Sequence, residues 1–210
     1  MKKIALIVGI TGQDGSYLAK FLLNKDYEVW GTSRDAHGSN LLNLKKLGIF
    51  NKVKLISMQP EDFRSVLVAM QKSLPDEVYN LAGQSSVSLS FNQPVETVQS
   101  ITIGTLNLLE SCRMLKKSPR VYYAGSSEAF GNTNGIKASE KTLFHPQSPY
   151  GVAKASAFWM VDNYRNAYNL FACTGILFNH ESPLRPKRFV TQKIISSALL
   201  AIFFLKVTVL

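Results

Sequence analysis

The amino-acid sequence predicts an α/β fold built on a doubly wound parallel sheet. Short apolar runs rich in β-branched residues alternate with longer segments whose apolar residues recur at helical spacing. Strands that alternate with helices pair in parallel through right-handed crossovers. With 210 residues and 46% hydrophobic content, the chain is long enough to bury one sizeable core. We therefore expect a single main domain of this class.

The predicted elements follow one another regularly along the chain. The predicted strands lie at residues 4–8, 28–31, 53–58, 77–82, 120–124 and 172–178. The predicted helices lie at residues 16–23, 63–73, 94–115 and 149–168. Asp62 is a suitable N-cap for the second helix and Pro75 stops it, while the last two helices begin at a proline suited to a first helical turn.

Two irregular segments, 32–48 and 131–148, are rich in Ser, Asn, Gly and Lys. They follow the second and fifth predicted strands, and ligands of open α/β sheets bind at the carboxyl ends of strands. We expect both segments to be site loops rather than linkers.

Composition excludes several classes of function. The net charge of +10 is spread over pairs and small clusters without a basic and aromatic stripe, so we expect no nucleic-acid partner. No apolar stretch reaches the roughly 18 to 20 residues of a membrane-spanning helix, so we expect no membrane partner. Cys112 and Cys173 are far apart and lack a ligand pattern, which favours no metal site, no disulfide and a cytoplasmic location.

The turn after the first strand carries glycines at positions 9, 12 and 15 and opens a helix. This context is typical of a dinucleotide site, because the backbone can approach a pyrophosphate at the helix N-terminus. The second strand ends near Arg34, which would pair with the 2′-phosphate of NADP, whereas the neighbouring Asp35 is the competing signal for NAD. The sequence favours NADP.

Tyr150 and Lys154 lie four residues apart on one predicted helix and therefore share a face. The charge of Lys154 can favour the phenolate of Tyr150, and its three donors can hold a polyol such as a ribose. The pattern suits redox chemistry on a sugar. An exposed Tyr and a solvated Lys on a surface helix remain the alternative.

The fifth strand delivers two hydroxyls and a carboxylate, Ser126, Ser127 and Glu128, at its carboxyl end. Short-chain reductases and epimerases need a Ser or Thr, a Tyr and a Lys to move a hydride. An additional glutamate implies a further proton transfer. The alternative is a loop glutamate in solvent.

Several segments resemble the GDP-mannose 4,6-dehydratase family of the extended short-chain dehydrogenase/reductase superfamily. They are residues 9–19, 75–82, 148–154, 163–165 and 175–183. The resemblance extends from residue 3 to about 197, and the segment Asn179-His-Glu-Ser-Pro183 is its most specific part. It implies an NAD(P)-binding Rossmann fold and an internal redox cycle that converts GDP-mannose to GDP-4-keto-6-deoxymannose.

The resemblance also implies roles for individual residues. Tyr150 would deprotonate the sugar 4-hydroxyl, Ser126 would bond the same oxygen, and Lys154 would orient the nicotinamide ribose. Glu128 would then remove the C5 proton before water leaves from C6. The implied cofactor contacts are Gly9, Thr11, Gly12, Gln13, Asp14, Gly15, Arg34, Leu81, Ala82, Gly83, Gln84, Ser85, Lys154, His180 and Arg185. The implied substrate contacts are Ser85, Ser126, Asn179 and Lys193.

Two departures from the family pattern bear on these expectations. Gln59-Pro60 follow the third strand where the family carries an aspartate and an apolar residue facing the adenine. Family members also continue well beyond residue 210 with a smaller substrate domain. We therefore expect a Rossmann domain over 1–210 in which about 179–210 begin a largely missing substrate part, with an exposed apolar segment at 203–210.

The resemblance implies a homo-oligomer, a dimer or a tetramer, that binds GDP-mannose. A truncated, catalytically impaired NADP-binding remnant is the alternative from another class. A sugar-nucleotide epimerase or reductase using the same Ser, Tyr and Lys is a third possibility, against which Glu128 and the segment 179–183 argue.

Overall fold

Six parallel strands form one sheet in the computed structural model, which describes residues 2–36, 38 and 41–207 and side chains up to residue 202. The strands are β1 (Ile4–Val8), β2 (Glu28–Ser33), β3 (Lys54–Ser57), β4 (Glu77–Asn80), β5 (Arg120–Ser126) and β6 (Ala172–Leu177). Their order is β3-β2-β1-β4-β5-β6, so the direction of winding reverses between β1 and β4. Ligands of doubly wound sheets bind at that switch point. The predicted fold class is confirmed.

The described helices alternate with the strands. They are α1 (Gln13–Asn24), α2 (Leu42–Lys46), α3 (Phe63–Ser73), α4 (Val87–Asn92), α5 (Pro94–Val98), α6 (Gly104–Met114), α7 (Pro149–Tyr168) and α8 (Val190–Val207). A π turn, Gln99–Ile103, joins α5 to α6, and short 3-10 turns lie at Phe50–Lys52 and Ser127–Ala129. None of the described helices is long and apolar enough to cross a membrane.

The two faces of the sheet carry separate hydrophobic cores because successive strand residues point to opposite faces. In β1, Leu6 and Val8 pack toward α3, α6 and α7, where Leu109 and Val161 are buried. Ala5 and Ile7 pack on the other face, with buried residues of α1 and α2. Both faces of β1 are therefore apolar, as expected of a parallel strand covered on both sides.

The chain divides into two compact units, Met1–Phe178 and Asn179–Leu210. The first contains the sheet and α1 to α7, and the second contains α8. The view of 179–210 as the start of a substrate part stays a prediction. Residues 37, 39 and 40 of the predicted site loop 32–48 lie outside the described residues, as do the side chains of the predicted exposed segment 203–210.

Several predicted boundaries are wrong. Helix α1 begins at Gln13 rather than Ser16, because the last glycine of the turn already lies in the first helical turn. The single helix predicted over 94–115 is interrupted by the π turn, and the short helices α2 and α4 were not predicted. Strand β5 continues through Ser126, two residues beyond the prediction, since it pairs with β6 as far as Leu177.

Candidate active site

The glycine turn between β1 and α1 is closed by its own backbone. Gly9 adopts φ +88°, which favours glycine, and the amide of Gly12 donates to the Gly9 carbonyl at 3.1 Å. A Cβ on Gly15 would lie 2.8 Å from Ile10 Cα, so α1 starts in direct contact with the turn. The N-terminus of α1 thus meets the carboxyl end of β1 with little side-chain bulk between them. This cradle suits a pyrophosphate.

Polar groups tie the predicted cofactor residues of this turn to their neighbours. Gln13 Nε2 donates to Asp14 Oδ1 at 3.0 Å, which places both side chains in the first turn of α1. The Thr11 carbonyl accepts from Asn43 Nδ2 on α2 at 3.0 Å. Helix α2 therefore steadies the glycine turn. It was not predicted, because the Ser, Asn and Lys content of segment 32–48 gives no helical pattern.

The segment after β4 lies beside the glycine turn. A Cβ on Gly9 would approach the Ala82 amide at 3.1 Å and the Leu81 carbonyl carbon at 3.2 Å, so these backbones are in contact. Gln84 Nε2 donates to the Ser86 carbonyl at 2.7 Å, which braces the loop. Leu81 and Ala82 of the predicted segment make that contact, and its other members, Gly83, Gln84 and Ser85, follow in the loop. Gly83 and Ser85 are exposed.

Arg34 lies just after β2 and is exposed. Asp35 next to it accepts from the amide of Gly38 at 2.8 Å, so its carboxylate already braces the following turn. The amide of Ala36 donates to Ser57 Oγ on β3 at 3.0 Å and anchors this turn to the sheet. Arg34 is thus an exposed cationic side chain directly after β2, next to a carboxylate that already has a backbone partner.

The carboxyl end of β5 carries Ser126 and Glu128. Ser126 Oγ accepts from the amide of Glu128 at 3.3 Å and caps the 3-10 turn that follows the strand. A Cβ on Gly151 of α7 would lie 2.7 Å from the Glu128 carbonyl oxygen, so the first turn of α7 touches this 3-10 turn. Ser126, Glu128 and the start of α7 are thus brought together.

Helix α7 presents Tyr150 and Lys154 toward the sheet rather than to solvent. Ser148 Oγ caps the helix by accepting from the amide of Gly151 at 3.0 Å, and Pro149 occupies the first turn. Tyr150 is 9% exposed and Lys154 is 7% exposed. The alternative of a solvated surface pair is therefore wrong.

Lys154 is a buried cation. Its Nζ donates to the Ala124 carbonyl on β5 at 2.7 Å, and this commits one of its three donors. Burial lowers the pKa of Lys154 to about 8, because desolvation penalises the ammonium. Lys154 therefore loses its proton at a lower pH than an ordinary lysine.

The loop 131–148 forms one wall of an open cavity of about 500 Å³. Glu128 lines this cavity with Asn132, Lys137, Gln147 and an apolar side made of residues such as Phe130. The loop is fastened at its end, where the amide of His145 donates to the Ala129 carbonyl at 3.1 Å. Glu128 itself is exposed where it lines the cavity, so the alternative of a loop glutamate in solvent stays open. Sequence reasoning found the loop but not which of its residues face the cavity.

The remaining predicted residues belong to the second unit. Asn179 and His180 lie directly before its first turns, and Lys193 lies on α8. The Arg185 guanidinium lies 3.7 Å from the centroid of the Phe189 ring, and Arg185 Nε lies 3.5 Å from Glu181 Oε1. These contacts hold Arg185 within its own unit.

Within the described residues, no group of three or more His, Cys, Asp or Glu side chains could hold a metal ion. The polar groups that converge in the first unit are instead hydroxyls, one carboxylate and one ammonium. This set suits proton and hydride transfer with an organic cofactor.

The chain matches a family model described as GDP-mannose 4,6 dehydratase over residues 6–203. It is 46% identical over 203 residues to a GDP-mannose 4,6 dehydratase of Drosophila melanogaster, covering 93% of this chain and 51% of that protein. It is 48% identical over 203 residues to GDP-mannose 4,6 dehydratase 2 of Arabidopsis thaliana, covering 92% of this chain and 54% of that protein. The chain spans about half the length of these curated relatives.

Solved structures share the fold. A dTDP-glucose 4,6-dehydratase from Streptomyces venezuelae with NAD and TYD bound gives a TM-score of 0.84 at 20% identity, over 94% of this chain and 62% of that chain. A UDP-glucose 4-epimerase of Thermus thermophilus in complex with NAD gives 0.71 at 28% identity, over 81% of this chain and 53% of that chain. The family model matches most of the chain, including the glycine turn, the β5 edge and α7, and the chain therefore belongs to the GDP-mannose 4,6 dehydratase family.

Proposed function

We propose that this chain carries the cofactor site and catalytic groups of a GDP-mannose 4,6-dehydratase, which converts GDP-mannose to GDP-4-keto-6-deoxymannose and water. The observation that carries the proposal is Glu128, which lines the cavity at the edge where Ser126 and the start of α7 meet. A reductase or an epimerase needs no such carboxylate for hydride transfer alone. A dehydratase needs one to remove the proton at C5.

The cofactor is NADP. The glycine cradle and the N-terminus of α1 would hold the pyrophosphate, and the backbone of Leu81 and Ala82, which contacts Gly9, supports a lining that would continue to Ser85. Arg34 is exposed beside the ribose position while Asp35 is engaged with Gly38, which favours the 2′-phosphate. The bound nicotinamide would accept hydride from the sugar C4 and later return it to C6.

The residues at the β5 edge handle the protons of the reaction. Tyr150 takes the proton of the sugar 4-hydroxyl, while Ser126 Oγ holds the same oxygen. The resulting ketone acidifies the C5 proton, which Glu128 removes. The same carboxyl returns a proton to the C6 hydroxyl, which leaves as water. Glu128 therefore ends the cycle as the carboxylate with which it began. When hydride returns to C6, C5 takes up a proton, and the proton that Tyr150 took from the 4-hydroxyl would balance this uptake, so Tyr150 also returns to its starting state.

Lys154 supports the proton transfer from the sugar 4-hydroxyl to Tyr150. Its ammonium, held by the Ala124 carbonyl, favours the phenolate of Tyr150 through its charge and leaves donors for the nicotinamide ribose. In the second unit, His180 and Arg185 would contact the cofactor, and Asn179 and Lys193 the sugar nucleotide. We also propose a homo-oligomer, a dimer or a tetramer.

The test is to incubate the purified chain with NADP and GDP-mannose and to look by mass spectrometry for a product lighter by one water. Glu128→Gln is the matched variant, because it keeps the shape of the side chain and removes the base. Product from the parent and none from the variant supports the dehydratase. A product of unchanged mass would instead indicate an epimerase, and tight NADP binding without any product would indicate a binding role for this chain.

A further inference from the structure

Tyr123 lies on β5 next to the carbonyl that holds Lys154. It pairs with Asn80 of β4 and Thr174 of β6 in the sheet register, and its side chain belongs to the core between the sheet and α7. Tyr123 is 1% exposed. Neither the sequence pattern nor the proposed chemistry assigns it a role.

Two aromatic rings and one carbonyl surround the Lys154 ammonium. Lys154 Nζ lies 5.0 Å from the centroid of the Tyr123 ring and 5.7 Å from the centroid of the Tyr150 ring. Its hydrogen bond goes to Ala124, the residue after Tyr123. A single stretch of β5 therefore supplies both the carbonyl and one of the two rings.

We propose that Tyr123 is a positioning residue of the site, whose ring holds the Lys154 ammonium charged and fixed beneath Tyr150. The role rests on the proposed function, since it acts through the lysine that serves the Tyr150 phenol and the ribose. The electron-rich face of an aromatic ring attracts a cation within about 6 Å of its centroid, most strongly where water is excluded.

The ring, rather than the hydroxyl, carries this role. Burial raises the pKa of Tyr123 far above its usual range, so the phenol stays neutral and supplies no counter-charge. Within the described residues, the Tyr123 hydroxyl makes no hydrogen bond of good geometry, and Thr105 is the polar side chain that lies near it. Removing the hydroxyl therefore breaks only a weak contact with Thr105.

A neutral ring is the appropriate partner for a lysine in this position. A carboxylate would stabilise the ammonium more strongly but would cancel the positive charge that the Tyr150 phenolate requires. The titratable groups that face Lys154 are Tyr123 on β5 and Tyr150 on α7, and its lowered pKa comes from burial alone. Burial favours deprotonation of Lys154, and the ring stabilises the protonated form against it.

The proposal is tested by titrating Lys154 directly. The chain is labelled with 13C at lysine Cε, the Lys154 signal is assigned by its absence in Lys154→Met, and its midpoint is followed by NMR. Tyr123→Leu removes the ring and should lower the midpoint by about one pH unit relative to the parent. Tyr123→Phe keeps the ring face and should titrate as the parent does.

A second substitution preserves the packing. Replacing Tyr123 with a tetrafluorinated phenylalanine keeps the ring volume but withdraws electrons from its face, so the midpoint should fall relative to Tyr123→Phe. Equal midpoints for the fluorinated and unfluorinated rings would overturn the proposal, even if Tyr123→Leu fails to fold. Because the titration needs no turnover, an inactive chain would count against the proposed function and leave this result readable.

Discussion

Substitution of Gly15 by alanine probes the contact between the glycine turn and α1. The added Cβ would clash first with the Gly9 carbonyl oxygen, and it would lie 2.8 Å from Ile10 Cα and 3.0 Å from the Gly9 carbonyl carbon, whereas ordinary contact begins at 3.4 Å. All three neighbours are backbone atoms, so α1 must move by more than about half an ångström. Overpacking against backbone that cannot rotate away falls in the upper part of the usual range, at about 2–3 kcal/mol, and the better helix propensity of alanine offsets about 1 kcal/mol of it.

We therefore expect Gly15→Ala to lose about 1–2 kcal/mol of unfolding free energy and to melt about 2–8 °C below the parent. Gly12→Ala is the control in the same turn, because its Cβ would meet only the Gly9 carbonyl oxygen, at 3.4 Å. Thermal unfolding followed by circular dichroism measures both. If Gly15→Ala melts at or above the temperature of Gly12→Ala, the contact between turn and helix does not limit stability and the reasoning fails.

Two further predictions concern charged groups. The folded pKa of Lys154, about 8, lies below the ordinary lysine value of 10.5, so the unfolded state binds more protons and the free energy of unfolding rises between those pH values. Urea unfolding from about pH 7.5 to about pH 10 should show a gain of about 2 kcal/mol in the parent that Lys154→Met lacks; equal slopes would refute this. Arg34→Ala should weaken NADP binding about 10- to 100-fold and leave NAD binding unchanged in calorimetry, whereas equal losses for both would remove Arg34 from the 2′-phosphate site.

The sequence was most informative where structure is local. The six strands were predictable because each is a short apolar run next to a turn, and α3 and α7 because a cap and a first-turn proline mark their starts. The interruption between α5 and α6 was not predictable. A Cβ on Gly104, where α6 begins, would lie 2.9 Å from Pro60 Cβ, so the helix is fitted to a residue more than forty positions away.

In the candidate site, too, the side chains could be predicted from the sequence but their packing could not. The spacing of Tyr150 and Lys154 predicted a shared helix face, but the burial of that face depends on how α7 packs against β5. The hydroxyls and the carboxylate of β5 were predictable as a group. That Glu128 lines a cavity depends on the loop 131–148, whose path no periodic pattern records.

The sequence by itself determined the six strands, the longer helices between them, the glycine turn and the candidate reacting side chains, because periodicity, turn residues and motif spacing act over a few positions. Only the tertiary structure decided that Lys154 is buried between Tyr123, Tyr150 and the Ala124 carbonyl. Burial and ring contacts arise between elements about thirty residues apart. The local pattern therefore names the lysine, whereas packing sets its charge and its pKa.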